Sequence, residues 1–443
     1  MKIPVEAFEP HKWHLRELVK FDKAKKTGFV DKRFFVNVWH RRARKTTLML
    51  NILIRECIQH PKSVYAYIMP TYAQAKKVVW NDPNMLKTYL PMQYVKKMNE
   101  TELRVEFVNG SILYLLGSDN LRGMDFRGVV LDEYAEHDNN TYDEFIQPIL
   151  SLPNRDGSKK WATFIFTPKG KNHAFSTYQI AQQQQEHGLY TCSMLTADES
   201  KMIPAEDLAE IKRRTPERIF MQEYQCAFHD DAAGVFRRVT DAIGGELEPR
   251  NPKYTYVTGW DVARYEDYNV MCTICRETRQ VVDFKRFHQR DWEYIMGMAL
   301  SVHKKYNSQF IIDATGGGDK VAHDMRQMNV PVEAITFTNT TKENMINQLS
   351  ITIEQRLITY PLIEELINEL QAYTYEVLPS KKLRYGAPTG LHDDCVIGLA
   401  LAVEGIKNYI QIATIVKPES IIKDYSTVSH AQPTVAGGWS NLA

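Results

Sequence analysis

Between residues 34 and 170 the chain alternates short apolar runs with longer amphipathic stretches, and this alternation restricts its fold more than any other feature. Runs with no polar face form strands buried on both sides, and the helical stretches between them cover those sides. Phe34–Trp39 reads as the first buried strand. Residues 46–58 read as a helix in which Leu48, Leu50, Ile52, Leu53 and Cys57 supply the apolar positions. Val64–Met69 is a second strand, stopped by Pro70-Thr71, and 128–131 and 163–166 are two more. Residues 103–108 and 112–116 flank Asn109-Gly110, a hairpin signal because that turn needs positive φ at its centre. The expectation is an α/β domain built on a largely parallel sheet.

A chain of 443 residues is too long for one ordinary core, so two domains are expected. The pattern changes at 196–245. Ile203-Pro204 opens a charged helix, 219–228 is more apolar, and Asp230-Asp231-Ala232-Ala233-Gly234 breaks the pattern. A second α/β unit follows. Its strands are 254–260, the antiparallel neighbours 270–275 and 281–287, and 310–312; its helices are 342–356, 362–374 and 393–406. Beyond about 410 the chain thins into Pro, Ser, Thr and Gly and reads as a poorly ordered tail. The expected division is 1–195, a linker subdomain at 196–245, 246–410 and a tail at 411–443.

Net charge is +1, so contact with nucleic acid must come from local basic patches. No apolar run approaches the roughly 20 residues that span a bilayer, and Met1-Lys2-Ile3-Pro4-Val5-Glu6 lacks the apolar core of a signal peptide. A membrane partner is therefore not expected. Cys272 and Cys275 form a lone closely spaced pair in a strand-like run with no second pair, which reads as buried free thiols in a reducing compartment rather than zinc ligands.

Two sets of residues carry chemistry. Arg41-Arg42-Ala43-Arg44-Lys45-Thr46-Thr47 lies between a buried strand and a helix, the setting in which backbone N–H groups cradle phosphates, a Lys adds charge and a Thr hydroxyl serves magnesium. The usual loop glycines are missing: Trp39 and Arg44 stand there. A basic helix start is the competing reading. Val129-Val130-Leu131-Asp132-Glu133 then ends a strand in two carboxylates, one to hold magnesium and one to orient water; an acidic helix start is the alternative. In the second half, Asp261 and Asp313 end strands, and Asp393-Asp394 opens a helix containing Gly398, Ala400 and Ala402, small residues that let it pack closely on a sheet. Converging carboxylates suit two-metal phosphodiester hydrolysis, although each Asp alone also suits a turn or a helix cap.

With Pro70-Thr71-Tyr72-Ala73-Gln74-Ala75 and Thr167-Pro168-Lys169-Gly170, the first half resembles the ATPase domain of large terminase subunits, the DNA-packaging motors of tailed bacteriophages. Gly259-Trp260-Asp261 and His392-Asp393-Asp394 resemble the nuclease domain of the same family, so the likeness covers about residues 8–405. It implies a P-loop (ASCE/RecA-like) ATPase domain followed by an RNase H-like nuclease domain. It also implies ATP with magnesium at Arg42, Ala43, Arg44, Lys45, Thr46, Thr47, Asp132 and Thr167, with Thr46 and Asp132 serving the metal. Arg41 would sense the γ-phosphate from the same chain, Glu133 would hold the water, Thr167 would couple hydrolysis to motion, and Arg122 would reach a neighbouring subunit's nucleotide. His14 would replace the Gln that usually reads adenine. Asp261, Asp313, Asp393 and Asp394 would hold two magnesium or manganese ions, with Asp267 and His392 as auxiliary groups. Lys381, Lys382, Arg384 and Tyr385, and less strongly Arg264 and Lys285, would flank the DNA. Implied partners are double-stranded DNA, a portal protein, a small terminase subunit and further copies in a ring, typically a pentamer. The implied location is the host cytoplasm and, transiently, the procapsid portal, outside the mature virion. A helicase-like or resolvase-type nuclease and a non-hydrolysing DNA-binding assembly protein are the rival readings.

Overall fold

The structure, a computed structural model, describes residues 8–118, 121, 123–229, 234–263, 268–288, 291–315, 318–377, 383–388 and 391–407. The expected tail and Arg122, Arg264, Asp267, Lys381 and Lys382 lie outside the described residues.

The first half is an eight-stranded sheet. Its strands are β1 (Phe34–Trp39), β2 (Val64–Met69), β3 (Val95–Asn99), β4 (Arg104–Phe107), β5 (Ile112–Gly117), β6 (Gly128–Asp132), β7 (Trp161–Phe166) and β8 (Tyr190–Leu195), in the order β3-β4-β5-β2-β6-β7-β1-β8. The strands from β5 to β8 pair in parallel, while β3 and β4 extend one edge as antiparallel neighbours. Every residue of β1, β6 and β7 is buried, which is why their sequence is continuous apolar rather than alternating. Helices α1 (Lys12–Lys26) and α2 (Lys45–Gln59) contribute Phe21, Leu48, Ile52 and Leu53 to the core on one face. Helix α3 (His173–Gln183) covers the other face through Ala174, Tyr178 and Ala181.

Two helices, α4 (Ala205–Arg214) and α5 (Glu217–Gln225), follow and meet through Leu208 and Phe220. Each begins directly after a proline, Pro204 or Pro216. Proline suits a helix start, where its missing N–H would have no partner inside the helix.

The second half is a five-stranded sheet of β9 (Tyr256–Asp261), β10 (Asn269–Cys275), β11 (Val281–Phe287), β12 (Gln309–Asp313) and β13 (Val332–Ile335), in the order β11-β10-β9-β12-β13. β9, β10 and β11 are antiparallel, whereas β9, β12 and β13 are parallel. Helices α6 (Trp292–Tyr306) and α7 (Gly318–Gln327) pack on one face. Helices α8 (Asn339–Glu354), α9 (Glu364–Ala372) and α10 (Asp394–Glu404) pack on the other. A hairpin of β14 (Thr374–Val377) and β15 (Leu383–Gly386) lies between α9 and α10 in the chain. The six cysteines are all buried and free, as expected for Cys272 and Cys275. Among the described residues no helix is long and apolar enough to cross a membrane.

Candidate active sites

β1, β7 and β6 are parallel neighbours, so their C-terminal ends open on one edge of the first sheet. In such sheets ligands bind at that edge. β1 delivers residues 40–44, β7 delivers Thr167 and β6 delivers Asp132-Glu133. The loop turns without glycine because Arg42 (φ 77°) and Arg44 (φ 57°) take the left-handed conformation themselves, as does Glu133 (φ 50°). Such residues are strained, and the surrounding structure must hold them. Here the bracing converges on fully buried Ala43, whose carbonyl accepts from Trp13 Nε1 and His14 Nε2, each at 3.3 Å. The Arg41 N–H donates to the Glu223 carbonyl on α5 at 2.8 Å.

Lys45 is buried, and its ammonium donates to the Trp39 carbonyl and to Thr167 Oγ1, both at 3.0 Å. Buried Asp132 accepts from Thr46 Oγ1 at 2.8 Å, from the Tyr67 hydroxyl, and from the Glu133 N–H at 2.8 Å. Burial and the adjacent Asp132 push the Tyr67 phenol up, keeping it a donor. Burial also pushes the half-buried Glu133 carboxyl up to about 7; Lys45 opposes this, while Asp132, Glu136 and Glu223 add to it. A cavity of about 730 Å³ lies over residues 41–47 and Glu133, with Met85, Tyr89 and Ile203 along its apolar side. Its size suits a small-molecule ligand, for which pockets run from about 300 to 1,000 Å³. The Thr46 hydroxyl and the Asp132 carboxylate are the hard oxygens that magnesium prefers, so the residues fit a magnesium nucleotide.

His14, which the likeness offers as an adenine reader, is not among the residues that line this cavity. His14 is fully buried, accepts from the His11 N–H at Nδ1 (3.3 Å) and turns Nε2 to Ala43. With both ring nitrogens engaged, it braces the loop from behind. Arg41 lines the cavity but pairs outward with Glu223, Nη1 to Oε2 at 3.8 Å.

The second site arises from register. Ile312 pairs with Trp260 on parallel strands, so Asp261 and Asp313, each the next residue, leave the sheet side by side. Asp393 is the N-cap of α10 and Asp394 its first residue. The helix approaches β9 because position 259 is Gly: a Cβ there would lie 2.2 Å from both Ala402 N and Gly398 O. Burial, then Asp394, Asp393 and Asp313, hold the Asp261 carboxyl well above the usual carboxylate range, with Lys342 opposing them. Asp394 accepts from the Tyr268 N–H at 3.3 Å, and His392 Nδ1 stands 3.6 Å from the same oxygen. Asp313 accepts from the Thr315 N–H at 2.8 Å and from its hydroxyl. Asp393 meets Lys342 Nζ at 3.3 Å. Among the described residues, no three such side chains already surround one point as a closed metal cage. The set is instead a group of hard-oxygen donors that repel one another around Asp261, a repulsion that bound cations relieve.

Three supporting groups were not singled out in the sequence. Buried Glu369 on α9 caps α10, accepting from the Cys395 N–H at 2.7 Å. Arg286 stands 3.7 Å from Glu369 and lies 3.5 Å above the Tyr268 ring. Lys342, at the start of α8, is a cation among the carboxylates, and with Arg384 and Tyr385 it lines a polar cavity of about 570 Å³ beside Asp393. Lys285 instead stands 3.8 Å from Asp283.

A phosphate-loop α/β domain joined to an RNase H-like domain with an acidic sheet end is thus the class that the fold and sites define. A family model described as "Terminase large subunit, T4likevirus-type, N-terminal" matches residues 41–240, and one described as "Terminase RNaseH-like domain" matches 258–402. The two together take in most of the chain, which belongs to the terminase large-subunit family. The terminase large subunit of Thermus virus P23-45 is 25% identical over 310 residues, 64% of this chain and 62% of that protein. That of Thermus phage G20c matches to the same extent. The match therefore spans less than two thirds of the length of these relatives. The large terminase of the thermophilic bacteriophage D6E (crystal form 2) is 15% identical with a TM-score of 0.50, covering 90% of this chain and all of that one, which is a likeness of fold.

Proposed function

We propose that the protein is a DNA-packaging motor of a tailed phage, hydrolysing ATP to move double-stranded DNA into a procapsid and cutting concatemeric DNA with a metal-dependent endonuclease. The observation that supports this most is the presence in one chain of two separate carboxylate sites: Asp132-Glu133 facing a phosphate loop, and Asp261 with Asp313, Asp393 and Asp394 at a second sheet end. In this reading the division is 1–195 for the ATPase domain, 196–245 for the linker, 246–410 for the nuclease and 411–443 for the tail.

At the first site the loop N–H groups of residues 42–47 and the Lys45 ammonium bind phosphates, and Lys45 leaves Trp39 and Thr167 to do so. Magnesium, held by Thr46 and Asp132, would neutralise phosphate charge. Glu133 orients the attacking water and takes its proton, a role for which a pKa near neutrality is suited. Arg41 turns from Glu223 to the γ-phosphate, Thr167 reports the move of Lys45 to β7, and Arg122 serves a neighbouring subunit. At the second site Asp261, Asp313, Asp393 and Asp394 would hold two magnesium or manganese ions that ready water and steady the leaving oxygen. Lys342 and Arg384 neutralise the DNA backbone beside Asp393. The partners are the portal protein, a small terminase subunit and further copies in a pentameric ring in the host cytoplasm and at the procapsid portal.

The test is a double dissociation on the purified chain. Glu133→Gln should lose ATP turnover and keep plasmid cutting; Asp313→Asn should do the reverse. Loss of both activities in either folded variant counts against two independent sites.

A further inference from the structure

Helix α5 touches both sites. At its C-terminal end the Glu223 carbonyl accepts from the N–H of Arg41 in the phosphate loop at 2.8 Å, and the Glu223 carboxylate faces the Arg41 guanidinium. At its N-terminal end the Glu217 N–H donates to buried Glu354 of α8 at 2.8 Å. The next residue, Arg218, is 5% exposed although it is an arginine, and its guanidinium lies 4.5 Å from the centre of the Tyr375 ring on β14. Tyr375 faces Tyr385 across the hairpin, with ring centres 6.0 Å apart. Both rings line the cavity that also holds Lys342 and Asp393. A helix of nine residues is a rod of about 13 Å, with the phosphate loop at one end and the wall of the cutting site at the other.

An arginine is rarely buried without a carboxylate partner. Among the described residues the Arg218 guanidinium meets the Tyr375 ring and stands beside the Tyr385 phenol, contacts that tolerate sliding along a ring face better than a bidentate ion pair tolerates displacement. We propose that Arg218 is a positioning residue for the nuclease: α5 transmits the state of the phosphate loop, through Arg41 and Glu223, to Tyr375 and the β14–β15 hairpin, so that nucleotide occupancy sets the rate of cutting. Phosphates bound at residues 41–46 meet a loop whose backbone is bonded to α5. Any shift or rotation of α5 moves Arg218 against Tyr375, and with it the side of the cavity facing Asp393. The inference rests on the two activities proposed above.

The experiment measures initial nicking of supercoiled plasmid by the full chain, with free manganese held constant, in the absence of nucleotide and with saturating ADP or a slowly hydrolysed ATP analogue. The wild-type rate should change at least about 5-fold between nucleotide states, the lower end of usual coupling between sites. Arg218→Met keeps the stem and removes the charge; its rate ratio should fall to about one, with ATP turnover retained. Arg218→Lys should recover part of the response. Tyr375→Leu removes the ring while leaving α5 intact, so it tests the same contact should Arg218→Met melt early. A general packing defect would lower the cutting rate in every nucleotide state and leave the ratio unchanged. A wild type that cuts and turns over ATP, but whose cutting ignores nucleotide, overturns the coupling alone. So does a full response in folded Arg218→Met and Tyr375→Leu. A wild type that neither cuts nor hydrolyses ATP overturns both the function and the coupling.

Discussion

Gly259→Ala separates the geometry of the cutting site from its chemistry, because no acidic residue is touched. The new Cβ would lie 2.2 Å from Ala402 N, 2.2 Å from Gly398 O and 2.9 Å from Ala402 Cα, all backbone atoms of α10. Real Cβ contacts essentially never fall below 3.0 Å, and no rotamer relieves a clash with backbone. The helix must therefore withdraw by about 0.8 Å, an overpacking strain worth roughly 1–3 kcal/mol. Asp393 and Asp394 ride on the start of that helix while Asp261 and Asp313 stay on the sheet. A misplacement of about 1 Å can cost on the order of 100-fold in rate. Gly398→Ala is the internal control. Its Cβ would first meet Val270 Cγ1 at 2.9 Å, a side-chain methyl that can move, and then the Val270 carbonyl at 3.3 Å. Alanine also recovers about 1 kcal/mol of helix propensity there. Plasmid nicking, ATP turnover and melting should be measured on both variants. Gly259→Ala should cut on the order of 100-fold more slowly while turning over ATP within about twofold of wild type; Gly398→Ala should cut within a few-fold. Wild-type cutting by Gly259→Ala, or a worse defect in Gly398→Ala, refutes the reasoning.

Other predictions concern the first domain and the helix cap. Burial, together with Arg44 and His11, lowers His14 from 6.5 to about 4, and burial with Lys45 does the same to His40, which bonds Ser200 Oγ at 2.8 Å. A folded pKa below the unfolded value means that the unfolded chain binds more protons between about pH 6.5 and pH 4. Stability is thus full above that window and falls as pH drops through it, by about 2 kcal/mol per histidine at pH 5. Melting at pH 7 and pH 5 should show this loss, smaller in His14→Gln by that one histidine's share of about 2 kcal/mol; an unchanged loss argues against His14. Tyr67→Phe removes one donor to buried Asp132 and should destabilise the domain by about 1–3 kcal/mol, read from its melting. Glu369→Gln weakens the carboxylate cap of α10 and should slow cutting while sparing ATP turnover; equal loss of both activities contradicts a local role.

The parallel core was legible because strands buried on both faces have to be written in apolar residues: β1 and β2 fall on the expected spans, Asp261 and Asp313 end their strands, and the Asp393-Asp394 pair opens its helix, as read. The absence of loop glycines was legible too, and its structural consequence is that Arg44 takes up the left-handed backbone that glycine would adopt more cheaply. What stayed hidden depends on partners distant in sequence. β8 lies at the sheet edge with a polar, half-exposed pattern, and only its pairing with β1, from Phe34–Tyr190 onward, makes it a strand. Glu369 caps a helix by accepting from the N–H of Cys395, 26 residues later, and Lys342 meets Asp393 across 51 residues. His14 was visible as a polar residue near the site, but its direction was not: the bond to Ala43 belongs to tertiary packing that no local pattern encodes.

The most direct test of the account is cleavage of supercoiled plasmid by the purified chain in magnesium, manganese or EDTA, with Asp261→Ala beside the wild type and ATP turnover recorded in the same preparations. The account predicts cutting with either metal, none in EDTA, and none by Asp261→Ala, whose ATP turnover persists. Cutting that survives EDTA, or that Asp261→Ala performs at the wild-type rate, contradicts a carboxylate-held metal site at the end of β9.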